Sequence, residues 1–556
     1  MRRTRVRAQP AVRWYTPLVA QPAQPAQAAQ PAQSTQPALR VPRAVAIVFL
    51  GLLGAVQGSA PNISSTALVS ASRGLDMVGG TLALAASIQT LAIAATVIST
   101  GLLADRFGRR NILMLALLVG IAGNLIIAAA PATIIYLLGQ AVTGIGLGAV
   151  YGAAFAYVRV VAEPKKLASA VGLFSAVISL STLILTFAGG ALSSIDWRIA
   201  FLAIPAVGAV CLLLTPIILP KQGRMANPKS DYLGQLLLIV AIVGFLFGVS
   251  QLGRSLTAPT TIVPIALGIV VMAVFFWHES RSAHRFFPVS LFRDPLFVAA
   301  ILAGLIYNFG TAVSFLQVTN LWQYVNGIKT SEVAIWQLPL IAAGIVSALL
   351  FGRLMTKGMS NRLALLIGTI TTATGFALLA LFHSSHGIVG FLPGLILTGG
   401  GVVICAIPFG NLILKEAPAE YYGPVTSSRT TMGQFFYSIG FAVSTVVIDK
   451  LTLGGTVAKL EAAGVPPQQI GTGLDAVTAY ASSSTAPQTS LGKKALADAV
   501  GSYGGAFATM MIIAAAVCLA AGLVGFLILK RNAHRADAHP APVVDPSQVA
   551  AGPATA

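Results

Sequence analysis

The chain has 556 residues, 56% of them apolar and only 9% charged, with a formal net charge of +19. A soluble domain carries roughly 25% charged residues, so a soluble enzyme or a nucleic-acid-binding protein is excluded. The composition fits an all-α polytopic membrane protein, in which apolar runs of about 20 residues cross the bilayer as helices.

Residues 1–42 begin with several arginines and continue as a Gln-Pro-Ala tract with almost no large apolar side chain. Such a tract buries too little to fold and is expected to be a disordered cytoplasmic tail. Its basic start could also touch anionic lipid. No apolar run follows the early arginines, so a secretory signal is not expected.

From Arg43 onward, the hydropathy pattern predicts fourteen spans: 44–69, 78–104, 111–130, 132–160, 167–191, 198–219, 232–252, 260–278, 296–324, 333–356, 363–382, 388–414, 422–449 and 505–529. Most of the 35 Lys and Arg fall on one side: the N-terminal tail, the loops at 106–110, 159–166, 221–229, 281–293 and 353–362, and the C-terminal tail 531–556. Short cytoplasmic loops carry that excess. Both termini are therefore expected in the cytoplasm, with the protein multi-pass in the cytoplasmic membrane. The segment 450–504, rich in Gly, Pro, Ser and Thr with a short helical stretch near 456–463, is expected to be an extracytoplasmic loop, either a spacer or a functional element. Cys211, Cys405 and Cys518 lie inside apolar runs and imply no disulfide framework.

The most specific signal is the loop G-L-L-A-D-R-F-G-R-R between the second and third spans, with Gly101, Asp105, Arg106, Gly108, Arg109 and Arg110. Glycine permits a tight turn, the aspartate can cap a helix or pair with arginine, and the arginines hold the loop in the cytoplasm. This loop resembles the conformational signature of the major facilitator superfamily. Gly189 and Gly190 followed by Trp197, Arg198, Phe201 and Pro205, then Trp322 to Gly327 with Leu338-Pro339, and the worn copy Gly352-Arg353-Leu354, are similar to the fourteen-helix drug/proton antiporter branch. The resemblance covers about 43–530. It implies a six-helix bundle at 43–220, a linker at 221–294 with two extra helices, and a second six-helix bundle at 295–530. It also implies multidrug-like efflux by alternating access. Gly144, Gly148 and Gly152 leave one face of the fourth span bare, for close packing or for sliding, and Gly189 and Gly190 are grouped with them as helix-packing residues.

The sequence departs from that branch where charge is usual. Gln57 stands where proton-coupled members carry an aspartate ahead of an asparagine, here Asn62, and Gln140 replaces an arginine. All sixteen acidic residues and six histidines fall in loops, tails or span ends. A midplane proton relay needs a titrating group there. Coupling therefore either uses rim groups such as Asp105, Glu416, Glu420 or Asp449, or does not follow the branch's usual route. Arg429 is the exception, about two turns into the thirteenth span. It either faces the cavity, where Glu416 or Glu420 could reach it and where it could attract an anionic headgroup, or snorkels to lipid phosphates.

Polar residues in apolar spans nominate a substrate cavity of Gln57, Asn62, Gln140, Tyr151, Asn308, Gln323, Trp336, Arg429 and Gln434, although inward polar groups also serve as interhelical glue. There is no P-loop, no metal-ligand spacing and no nucleophile elbow. No enzyme activity, cofactor, metal or nucleic acid is expected. The expected partners are a small hydrophobic or amphipathic substrate, membrane lipid and, for an antiporter, protons; the protein is expected to be a monomer. The rival expectations are a lipid or lipid-conjugate translocator, a proton-independent facilitator, and a transporter-like sensor or scaffold.

Overall fold

Inside hydrocarbon every backbone N–H and C=O must be satisfied within the protein, which leaves helices as the economical way to thread apolar chain across a bilayer. A computed structural model of the protein describes residues 40–537, apart from 78, 222–230, 253–255, 283–284, 286, 329, 386, 419–420 and 484–486. The tail expected to be disordered lies outside these residues, except for its last three. Fourteen helices among the described residues are long and apolar enough to span a membrane.

The first six spans are α1 (Arg43–Gly74), α2 (Gly79–Phe107), α3 (Arg109–Ala128), α4 (Thr133–Val161), α5 (Leu167–Ser193) and the broken pair α6 (Trp197–Ala200) and α7 (Ala203–Ile218). Next come α8 (Tyr232–Gln251) and α9 (Pro259–Arg281), which pack on each other. The last six spans are α10 (Pro295–Tyr324), α12 (Leu338–Thr356), α13 (Asn361–Leu381), α14 (Ile388–Glu416), α15 (Tyr422–Ala462) and α17 (Ser490–Arg531). Short helices α11 (Thr330–Trp336), α16 (Pro467–Ser483) and α18 (Ala533–Asp537) lie between or after them.

Packing repeats between the two halves. In the first, α3 lies on α4 and α7, α1 on α5, and α2 on α4; in the second, α13 lies on α14 and α17, α10 on α15, and α12 on α14. The two bundles meet through α2 with α15 and α5 with α12, pairs that exchange equivalent positions. Helix α8 touches both α2 and α15, and its Phe245 stacks on Phe435 at 4.8 Å between centroids.

Matched glycines set the closest approaches within each bundle. A Cβ on Gly123 would lie 2.4 Å from the Thr143 backbone nitrogen, and one on Gly375 would lie 2.4 Å from that of Thr398. The four-residue stripe in α4 packs too: Gly144 and Gly148 lie against Gln89 and Ile93 of α2. Gly189 packs on Ile63, but Gly190, grouped with the packing glycines from sequence, has nothing within 4 Å of where a Cβ would stand.

The described residues of segment 450–504 are mostly helical rather than a loop. Helix α15 runs unbroken through it to Ala462, α16 follows, and α17 begins at Ser490, where the Thr489 side chain accepts from the Gly492 backbone N–H. Leu460, Ile470 and Ala495, one from each helix, form a small core of their own. At 1.5 Å per residue α15 is about 60 Å long, twice the ~30 Å hydrocarbon thickness, so its far end projects from the bilayer.

Placing Gly375→Leu in the α13–α14 approach should cost ~1–3 kcal/mol through overpacking, whereas Gly190→Ala should cost nothing measurable. Thermal unfolding of the purified protein in detergent checks the pair. Equal melting temperatures would mean that these helices do not depend on the contact.

Candidate functional site

The signature loop is a turn built on one residue. Helix α2 ends at Phe107, Gly108 adopts φ +92°, a conformation L side chains rarely accept, and α3 starts at Arg109. The three arginines then go separate ways. Arg106 is exposed; Arg110 reaches the Pro216 and Leu219 carbonyls at 3.5 and 3.4 Å, tying α3 to the end of α7. Arg109 is buried and lies over the Tyr422 ring of α15 at 4.5 Å. The Asp105 side chain lies outside the described residues.

Tyr422 sits at the centre of a seal between the bundles. Its hydroxyl donates to the Ala156 carbonyl at 3.3 Å, and the Arg159 guanidinium also lies over its ring at 5.3 Å while donating to the Leu414 carbonyl at 2.5 Å. Small residues make the rest. A Cβ on Gly101 would meet Ser427 Oγ at 2.5 Å and the Gly423 carbonyl at 2.6 Å, one on Gly152 would meet Ser427 Oγ at 2.7 Å, and one on Gly172 would meet the Ala348 carbonyl at 2.3 Å. Burial marks where the seal stops. Residues 422–431 of α15 are all buried, and residues 432–439 are all half-buried; on α5, burial falls away after residue 176.

Arg429 stands at that boundary, 4% exposed. It neither snorkels nor reaches Glu416. Glu416 instead binds Arg535, which bridges it at 3.1 Å to Asp294 at 2.8 Å, while Glu420 lies outside the described residues. Arg429 Nη1 donates to the Tyr151 hydroxyl, and its guanidinium lies 4.4 Å from the Phe155 ring centroid, 5.0 Å from Phe409 and 5.7 Å from Tyr151. Its Nε has no acceptor, and among the described residues it forms no ion pair. An unpaired arginine in a membrane costs at least ~2.5–3.5 kcal/mol. Desolvated cation–π contacts return up to ~2 kcal/mol each, so three rings offset a cost of that size. Phe174 extends the aromatic wall, 5.9 Å from Tyr151 and 5.7 Å from Phe155.

The other nominated residues do not converge on this point. Gln140, fully buried, donates to Ser64 Oγ at 2.6 Å and to the Tyr136 hydroxyl at 2.9 Å, which makes it glue between α1 and α4. Gln57 is buried on α1, one turn before Pro61, whose missing N–H leaves the Gln57 carbonyl without its helical donor. Asn62 is exposed and reaches Thr186 Oγ1 at 3.5 Å. Asn308 is half-buried beside Gly433, the neighbour of half-buried Gln434, in the less buried stretch of α15 that follows Arg429. Trp336 packs edge-on against Trp322 at 5.2 Å, near Gln323 at the far end of α10.

Sequence reasoning missed Phe155 and Phe409, although Tyr151 and Phe155 are four apart on one helix and therefore share a face. It also missed a buried polar cluster where α8 and α9 meet. Asp231 caps α8 by accepting from the Gly234 N–H at 2.8 Å and lies 2.8 Å from His278 Nε2, and the fully buried Glu279 accepts from the Phe287 N–H at 2.8 Å. Burial pushes the Asp231 carboxyl up, but the Gly234 and His278 hydrogen bonds outweigh it and hold the group below its ordinary value.

Two variants test this geometry. Gln140→Leu strands the buried Ser64 and Tyr136 hydroxyls and should destabilise the protein by ~1–3 kcal/mol, read as a lower melting temperature. Gly101→Leu should force α2 and α15 apart. In a background lacking Cys211, Cys405 and Cys518, maleimide labelling of Ser427→Cys should then rise several-fold, and unchanged labelling would mean that Gly101 does not close the seal.

The chain matches a family model described as Major Facilitator Superfamily over residues 45–441. It is 29% identical over 360 residues to the multidrug resistance protein Stp of Mycobacterium tuberculosis, covering 64% of this chain and 66% of that protein. It is 26% identical over 374 residues to the tetracenomycin C resistance and export protein of Streptomyces glaucescens, covering 64% and 67%. The match thus spans about two thirds of the length of these relatives. Among solved structures, the human organic anion transporter MFSD10 (TETRAN) superposes with a TM-score of 0.53 at 14% identity, covering 86% of this chain and 99% of that one, which shows a shared fold. With fourteen helices long and apolar enough to span a membrane among the described residues, a repeated six-helix packing and this family match, the chain belongs to the Major Facilitator Superfamily.

Proposed function

We propose that this protein exports small hydrophobic or amphipathic molecules across a cytoplasmic membrane by alternating access, with the signature-loop face in the cytoplasm. The observation that carries this reading is the asymmetry of the seal. The contacts between the bundles described above cluster in the signature-loop half, at Gly101, Gly152, Gly172 and Tyr422, and burial of α15 drops beyond Thr431, half a turn past Arg429. A two-bundle protein closed at one end and loosening toward the other is one state of a rocking cycle. The concentration of Lys and Arg on the sealed side supports its cytoplasmic placement. The names of two relatives, multidrug resistance and tetracenomycin C resistance and export, support small-molecule export.

The α1–α4 interior supports no proton relay of its own, because Gln57 and Gln140 do not titrate. In this reading, coupling to a proton gradient runs through acids near the membrane surfaces.

Efflux of a lipophilic fluorescent dye from pump-deficient bacteria expressing the protein, with and without a protonophore, tests the proposal. Expression-dependent efflux should appear. Gly108→Val, which forces a β-branched side chain into φ +92°, should cut the efflux rate at least several-fold at equal membrane abundance. Absence of efflux, together with specific scrambling of a labelled lipid, would replace this reading with lipid translocation.

A further inference from the structure

Most of the arginines whose contacts are described bind a carboxylate or a backbone carbonyl. Arg43 pairs with Glu163 at 3.3 Å, Arg198 donates to the Ala130 carbonyl at 3.0 Å, Arg159 donates to that of Leu414, and Arg535 holds two acids. Arg429 is placed differently. It is more than nine-tenths buried, one phenol hydroxyl is its only hydrogen-bond acceptor among the described residues, and its Nε points at none.

The surroundings say what could complete it. A guanidinium offers parallel N–H donors that match the two oxygens of a carboxylate or of a phosphoryl or sulfonyl group. Phe155, Phe174 and Phe409 provide an apolar wall at the same level, and half-buried Asn308 and Gln434 follow on the open side. The cage is also split between the moving parts. Tyr151 and Phe155 belong to α4 of the first bundle, whereas Phe409 and Arg429 belong to α14 and α15 of the second. Separating the bundles at the seal would strip two rings and the phenol hydroxyl from Arg429 together, leaving a charge that an anion could then take. A ligand biases an equilibrium only by binding one state better, and this arrangement supplies such a difference.

We propose that Arg429 is the counter-charge for an anionic group on an amphipathic substrate, with the substrate's apolar body against the phenylalanine wall. The assignment rests on the transport reading above and narrows its substrate class to amphipathic anions. Aromatic contacts hold the arginine while the cytoplasmic seal is shut, and the substrate anion replaces them when it opens.

The test uses the full chain in phosphatidylcholine nanodiscs and two dansyl alkyl probes of equal length, one a carboxylate and one its primary amide. Wild type should bind the carboxylate about 10–100-fold more tightly, the range for a charged hydrogen-bonded pair. R429Q should lose that preference without changing amide affinity, and R429K should keep part of it. Phenylglyoxal labelling of Arg429 in the wild-type protein, read by mass spectrometry, keeps the test independent of how the variants fold: the carboxylate should slow labelling and the amide should not. Equal affinity for both probes, or a preference that survives in R429Q, overturns the assignment. Displacement of the carboxylate by phosphatidylglycerol at membrane concentrations also overturns it, in favour of a lipid headgroup. Dye efflux separates the two proposals. Export of neutral dyes without any anion preference in binding leaves transport standing and removes this site, whereas anion preference without export of any dye does the reverse.

Discussion

Helices in lipid gain nothing by hiding apolar surface from tails that are equally apolar, so their association depends on how closely backbones approach. That constraint governs this molecule. Within the bundles, Gly123 and Gly375 let α3 and α13 lie against the backbone nitrogens of α4 and α14 at distances no Cβ tolerates. Between the bundles, Gly101 and Gly172 lie against the Gly423 and Ala348 carbonyls and Gly152 against the Ser427 side chain, at the surface that the proposed cycle opens. Flat backbone contact suits both tasks, because it is tight when closed and leaves few interlocked side chains to disentangle on opening.

The polar groups divide along the same lines. Two amides within the bundles are tied down: Gln140 holds α1 to α4, and Gln317 reaches Ser444 at 2.8 Å to hold α10 to α15. The group at the divide is not. Arg429 is held by ring faces, whose attraction depends on distance and weakly on direction, so its bonding can be exchanged without breaking a network of fixed hydrogen bonds.

The spans were legible because an apolar run of bilayer length admits one conformation. The signature turn was legible because glycine at a left-handed position is chemically specific. Of the outer helices, only a short stretch near 456–463 was. Their buried face on α15 is Thr452, Thr456 and Leu460, a clean four-residue repeat written partly in threonine, and a hydropathy scan reads threonine as polar. Arg429 stood out as a lone charge in a span, but its neighbours could not be named. Chain proximity suggested Glu416, whereas the C-terminal Arg535 folds back to claim that carboxylate. The cage draws on α4 and α14, and nothing in 26 phenylalanines marks Phe155 and Phe409 as the two that meet.

Helix α15 carries the seal at one end and, through Leu460, the small outer core at the other. From Arg429 to Leu460 it is an unbroken rod of about 47 Å. A rod transmits angle as displacement, so a 5° tilt at the seal moves the projecting tip by ~4 Å. The tip packs on α16 and α17, and Lys459 of α15 donates to the Asp498 carbonyl of α17 at 3.3 Å, contacts that favour movement of the three helices together over bending. If the bundles rock as proposed, the projecting tip is a pointer whose position reports whether the gate at the other end of the rod is shut. An antibody that grips one setting of the pointer would hold the gate.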